Sequence, residues 1–264
     1  MADLHPTAII DPRAELAPDV RVGPYAIVEG PVRLGPGCVV RARAHLIGEI
    51  VAGAGNDFGV GCVVGERAQH LQHQAAPGRV EIGEANVFRE HVTIHRGTPG
   101  HAGTRVGSRN FLMVNTHVAH DCKVGDGCVF ANGAVIGGHA VVHDGVFLSG
   151  NTGVHQNCQI GRLALISATS SATKDVPPFA IMEGRNGLVG VNLVGLKRAG
   201  MSSEQIEAVR RAYRMLLTSG LLLSAAVARL ERELSHFEAI AEMLKFIHTS
   251  QRGICLTRAR RRRD

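Results

Sequence analysis

From Leu4 onward a large aliphatic residue or Phe returns at every sixth position: Ile10, Leu16, Val22, Val28, Leu34, Val40, Leu46, then Phe58 and Val64, with Ala52 the one small substitute. The series resumes in the same phase at Ile82, Phe88 and Ile94. It then runs from Val106 through Leu112, Val118, Val124, Phe130, Ile136, Val142, Leu148, Val154 and Ile160 to Ile166. Gly often follows the anchor, as at Gly23, Gly107 and Gly125, and four positions after it comes a small residue such as Ala26, Cys62, Cys122 or Ala164. A six-residue unit with two inward slots and a corner is one side of a triangular coil. Three units close a turn of 18 residues, and turns stack at strand spacing, about 4.8 Å. The pattern predicts a parallel β-helix over 1–175, with its phase kept across two interruptions at 66–78 and 97–104. Asn56, Asn86 and Asn110 take the small slot beside those interruptions, which suggests stacked amides.

The hexads stop near Lys174, before Val176-Pro177-Pro178. Residues 176–200 then read as a connector, and 201–264 as a helical domain ending in a basic tail. A helix over 201–219 opens with Ser202 and Gln205 at capping-box spacing and closes at Gly220. Two more are predicted over 224–234 and 237–249.

Composition agrees with a thin prism. Hydrophobic residues make up 45% of the chain but aromatics only 4%, with no Trp and 32 Gly, which fits a core with no room for Trp. Five of the six Cys (Cys38, Cys62, Cys122, Cys128, Cys158) fall in the small inward slot and read as buried thiols, not disulfides or metal ligands. Cys255 lies outside the repeat. The net charge of +6 is mostly local, because Arg258–Asp264 carries five Arg and one Asp and leaves +2 for the rest. With no basic, aromatic-interleaved surface, nucleic acid is not expected as a partner. The apolar stretch 215–228 is broken by Thr218, Ser219, Gly220 and Ser224, too short for a transmembrane segment. With no apolar leader after Met1, a cytoplasmic protein is expected.

Chemistry concentrates in histidine, of which there are 14. His117, His120, His139 and His155 lie close together and outside the inward slots. Adding 18 per coil places Gly138 over His120 and Gln156 over Gly138, with His139 and His155 flanking that column. Such a column is a cleft wall with a backbone N–H exposed at the side-chain-free Gly138.

The segments Thr93-Ile94-His95-Arg96-Gly97-Thr98 and Asn115-Thr116-His117-Val118-Ala119-His120-Asp121-Cys122 resemble the UDP-N-acetylglucosamine O-acyltransferase family of hexapeptide-repeat enzymes. So do Val154-His155-Gln156, Asp175-Val176-Pro177-Pro178, Gly195-Leu196-Lys197-Arg198 and Ser250-Gln251-Arg252-Gly253-Ile254. The resemblance implies a left-handed coil, a mainly β homotrimer with sites between prisms, and acyl transfer from acyl carrier protein to the 3-hydroxyl of UDP-N-acetylglucosamine, the opening step of lipid A synthesis. His120 is then the general base, Asp121 its partner, and the Gly138 N–H the oxyanion donor. His117, His139, His155 and Gln156 line the substrate grooves, Arg198 meets phosphate and Asn192 the nucleotide. No metal and no cofactor are implied. Three departures from the family pattern stand out: Gln69-His70-Leu71-Gln72 replaces Gln-Asp-Leu-Lys, which puts His70 and Gln72 at substrate-contacting positions. Ala199 replaces the last Arg of LKRR, and the stretch 184–188 is a residue short.

Three other readings fit the repeats alone. A sugar-nucleotide N-acyltransferase carries a separate N-terminal uridine-binding domain, whereas the hexads here begin at Leu4. A γ-carbonic-anhydrase-like zinc enzyme would use His117, His120 and His139 as ligands. A non-catalytic trimeric scaffold would not need His120.

Overall fold

The computed structural model describes residues 2–71 and 78–255. Short strands form three parallel sheets, and each strand's hydrogen-bonded neighbour lies one coil further along the chain. In undisturbed coils the register advances by 18, as in His117 to Val135 to Gly153. Across the first interruption Val63 pairs with Thr93, an advance of 30, and across the second Thr93 pairs with His117, an advance of 24. The interruptions therefore add twelve and six residues, whole hexads, and the anchors from Val22 to Ile166 all stay buried, while Leu4 on the first coil is exposed.

Anchors and small slots fill the core as the spacing predicts: Val118, Phe130, Ile136, Cys122 and Ala134 are all fully buried. All six Cys are buried free thiols. Burial holds Cys122 and Cys128 in the protonated form, with pKa values pushed up to about 12. The amides do stack. Asn86 donates Nδ2 to Asn56 Oδ1 at 2.9 Å, Asn110 donates its N–H to Asn86 Oδ1 at 2.9 Å, and Cys128 donates its N–H to Asn110 Oδ1 at 2.7 Å. This ladder satisfies buried polar groups that would otherwise cost roughly 1–3 kcal/mol each.

The segment expected to be a plain connector carries structure. Strands Ala180–Glu183 and Gly187–Val191 form an antiparallel hairpin on the last coil, and a short helix follows, α1 (Leu193–Arg198). Neither element repeats every six residues, so the hexad pattern does not reveal them. The three expected helices are α2 (Ser203–Thr218), α3 (Leu223–Leu234) and α4 (Glu238–Thr249). Ser202 caps α2 through Gln205 N–H at 3.3 Å. Gln205 does not reach back to complete the box. Its Oε1 instead accepts from Ala239 N–H in the first turn of α4, at 3.2 Å.

Side-chain contacts lock this domain to the prism. Arg162 holds both oxygens of Glu242, Tyr213 donates its hydroxyl to Pro178 O at 2.6 Å, and Ser250 donates to Asp175 Oδ2 at 2.6 Å. The C-terminal basic tail lies outside the described residues. No helix among the described residues is long and apolar enough to cross a membrane.

Candidate active site

The site is built on one corner column of the prism. After strand His117–Val118 the chain turns at Ala119, His120 and Asp121, with Asp121 in the left-handed region at φ 60°. One coil on, Gly138 stands over His120, and His139 repeats the left-handed turn at φ 60°. This backbone is uncommon for side chains other than Asn, Asp and Gly. At these two positions it aims a carboxylate and an imidazole at the same space.

His120 and Asp121 are both only 7% exposed. His120 Nδ1 lies 2.9 Å from Asp121 Oδ2. The carboxylate also accepts from Thr98 N–H at 3.1 Å and from the Thr98 hydroxyl at 2.7 Å. Asp121 N–H in turn donates to Thr104 Oγ1 at 2.8 Å, and that hydroxyl donates to His95 O at 2.7 Å. Burial works to raise the Asp121 pKa, but the hydrogen bonds from His120 and Thr98 outweigh it and hold the carboxyl below its ordinary range. An ionised Asp121 accepts only, so His120 Nδ1 is the donor and the ring's lone pair sits on Nε2.

That nitrogen is kept open by Gly138. A Cβ at Gly138 would stand 2.6 Å from His120 Nε2, below any tolerable contact. Among the described residues the Gly138 N–H donates to no protein group. Gly138→Ala is expected to retain the coil while lowering turnover about 100-fold, the lower end of what general base catalysis supplies. Steady-state kinetics beside a melting curve checks this. Unchanged turnover would mean that the space above Nε2 is not used.

The other predicted residues divide into near and far. His139 Nε2 lies 3.8 Å from Asp121 Oδ2, and burial holds its pKa below the ordinary value against the pull of Asp121. The His70 ring meets His120 edge-on, with centroids 5.5 Å apart. His155 and Gln156 are exposed one coil beyond Gly138, with His155 Nδ1 donating to Gln156 O at 3.2 Å.

His117 turns away from the carboxylate. Its Nδ1 is 2.7 Å from Thr93 Oγ1 and its ring packs on His95. Asn192 is buried at the start of α1, where it accepts from Gly195 N–H and donates to Leu163 O. Its side chain is occupied by the fold. Arg198 is exposed at the end of the same helix and has no contact with the His120 cluster within the chain. Gln72 lies outside the described residues.

Sequence reading missed Thr98, Thr104, His95 and His101. Thr98 and His95 lie in the quoted segment, but nothing in their spacing says that the loop after them folds over Asp121. His101 meets His139 edge-on with ring centroids 4.9 Å apart, and it had no signal beyond being a His in an interruption.

The His117 environment carries a pH signature. Burial, then the neighbouring His95 and His120, lowers its pKa from 6.5 to about 4. The unfolded chain takes up that proton below about 6.5 while the folded chain refuses it until about 4, so stability falls as pH drops through this window. Urea unfolding at pH 7 and at pH 4.5 should show a smaller loss in His117→Gln than in the parent. An equal loss would place the titration elsewhere.

The triad of the zinc reading, His117, His120 and His139, does not assemble. The donor atoms that gather among the described residues are those of His120, Asp121 and His139, all within 4.8 Å of one another.

A parallel β-helix of hexads, with a carboxylate-oriented imidazole open at Nε2 on its flank, defines a hexapeptide-repeat transferase. Residues 103–138 match the bacterial transferase hexapeptide family, and 175–255 match the second domain of UDP N-acetylglucosamine O-acyltransferase. The acyl-(acyl-carrier-protein)–UDP-N-acetylglucosamine O-acyltransferase of an Anaeromyxobacter species is 46% identical over 95% of this chain and 98% of its own. The chain belongs to that family. Among solved structures, the UDP-N-acetylglucosamine acyltransferase of Francisella novicida superposes with a TM-score of 0.93 at 29% identity, covering 96% of this chain and 94% of that one. The UDP-N-acetylglucosamine O-acyltransferase of Moraxella catarrhalis gives 0.90 at 36% identity, covering 97% and 99%.

Proposed function

We propose that the chain transfers an acyl group from the thioester of acyl carrier protein to the 3-hydroxyl of UDP-N-acetylglucosamine, the first step of lipid A biosynthesis. One observation carries the mechanism: His120 is oriented through Nδ1 by an ionised, triply hydrogen-bonded Asp121 while its Nε2 faces space kept clear by Gly138. Nε2 takes the proton of the sugar hydroxyl as its oxygen attacks the thioester carbonyl. The tetrahedral oxyanion is held by the Gly138 N–H. The C–S bond then breaks, and the proton passes from Nε2 to the departing thiolate. Asp121 stabilises the imidazolium in between.

The reading includes a homotrimer whose neighbouring prism closes the groove. Exposed Val135 and Phe147, 41% and 36% accessible on outer faces of the coils, support such an interface. Arg198 and the His155–Gln156 pair then serve substrate from across that groove, and Gln72 belongs to the same substrate-binding set.

The test is release of free thiol from acyl carrier protein. It should depend on both the acylated carrier and UDP-N-acetylglucosamine, with no added metal. Thiol release that ignores the sugar nucleotide would overturn the acceptor assignment. His70 beside His120 stands where the family pattern has a carboxylate. An imidazole can accept a hydrogen bond from a hydroxyl but offers no negative charge to a cationic 3-amino analogue, which favours the hydroxyl sugar. In direct competition ester product should exceed amide, and a predominance of amide would count against that role for His70.

A further inference from the structure

The groups that orient the base also have the composition and spacing of a transition-metal site. Asp121 Oδ2 faces two imidazole nitrogens, His120 Nδ1 at 2.9 Å and His139 Nε2 at 3.8 Å. The second separation is too long for a hydrogen bond. The edge of a tetrahedral zinc site is roughly 3.3 Å for ligands bound at about 2.0 Å, between these two separations, so the His120 and His139 rings must each shift relative to the carboxylate to share an ion. Two imidazoles and a carboxylate suit a borderline ion such as Zn2+, and three protein donors leave a fourth position for water. The carboxylate is held by Thr98, and all three donor atoms lie within 4.8 Å of one another, so small side-chain shifts, with loss of the Nδ1 hydrogen bond, bring them onto one ion. His139 is partly exposed, which gives the ion a way in.

We infer that His120, Asp121 and His139 form an inhibitory Zn2+ site that silences the base by changing its tautomer. Coordination through Nδ1 requires a lone pair there. The Nδ1 proton is lost to solvent and Nε2 takes one up from solvent, so the ring stays neutral, bound to the ion at Nδ1 and carrying its one proton on Nε2. The nitrogen that must accept the sugar proton then has none of its lone pair left. Inhibition thus needs no competition for the substrate groove, and it falls on kcat. The consequence for rate rests on the acyl-transfer reading; the binding itself does not.

The experiment uses the full chain freed of metal with EDTA. Titration with Co2+ as a spectroscopic stand-in should give one intense tetrahedral visible band per chain, displaced by one equivalent of Zn2+. His139→Ala and Asp121→Asn should each weaken Zn2+ binding at least 10-fold in competition with a chromophoric chelator. His155→Ala, on an exposed imidazole one coil away, should leave metal affinity unchanged and so control for the other histidines. Absence of the band, or metal affinity indifferent to His139→Ala, would overturn the site. Metal-free protein should be active, with kcat falling in step with Zn2+ occupancy and recovering with EDTA. An occupied site with undiminished kcat would overturn the tautomer argument. Metal-free protein that is inactive until Zn2+ is added would instead overturn the acyl-transfer mechanism while leaving the site standing.

Discussion

His120→Ala is expected to reduce acyl transfer by 10²–10⁴-fold or more, about what removal of a positioned general base costs, while substrate binding persists. Its orientation is not shared by its neighbours: His139 meets the His120 ring edge-on at 5.1 Å and lies 3.8 Å from Asp121 Oδ2, and His117 is turned to Thr93. The fold should survive, because the ring lies on the flank of the prism and not among its inward slots. A modest fall in melting temperature is expected, since the loss of the Nδ1 hydrogen bond costs about 1 kcal/mol and Asp121 keeps its two bonds from Thr98. Single-turnover rates and a melting curve on the same preparation separate the two effects. Near-normal transfer by a folded His120→Ala protein would show that another group takes the proton.

The second large effect belongs to the core. Val124 is 4% exposed and pairs in register with Val106 below and Val142 above, all three pointing inward. Val124→Asp places an unpaired carboxylate between apolar layers. The effective penalty for a buried charge is several kcal/mol, against a total stability of about 5–15 kcal/mol for a typical domain. The variant is expected not to fold. Lys123, its neighbour in the same strand, is exposed, so Lys123→Asp should fold and melt cooperatively. Circular dichroism and size-exclusion profiles of the two variants decide the matter. A soluble, cooperative Val124→Asp protein would mean that the inward phase is misassigned.

That pair of adjacent residues shows why so much of the fold can be read from the sequence. In a β-helix each side contributes its inward residues at a fixed period, and whole hexads inserted at 66–78 and 97–104 leave the period unbroken. The Asn56–Asn86–Asn110 ladder follows from the same arithmetic. The hairpin Ala180–Glu183 and Gly187–Val191 obeys no such period, because it folds back antiparallel on a single coil. Its two short strands are specified by tertiary contact. Asn192 illustrates a different gap. A polar residue before a short helix can meet a nucleotide or cap the helix, and here capping occupies its amide oxygen while its amide nitrogen donates to Leu163 O on the prism.

The site divides in the same way. Stacking by 18 places Gly138 over His120, and the structure returns that column with a Cβ clash as its physical content. The groups that hold Asp121 come from an irregular loop. Thr98 reaches back across 23 positions, and Thr104 links Asp121 to His95. No periodicity encodes such contacts. His117 precedes an inward anchor and therefore faces outward by strand alternation, but its partner Thr93 comes from the neighbouring coil in register.

The most direct measurement of the central claim is the structure of the product. Purified protein is incubated with UDP-N-acetylglucosamine and a mixed pool of acylated carrier proteins, and the sugar nucleotide is analysed by mass spectrometry and NMR. The account predicts a single added acyl chain, joined as an ester at the 3-oxygen, and no such product from His120→Ala. An amide, an ester at another hydroxyl, or the same product formed equally well by His120→Ala would contradict it.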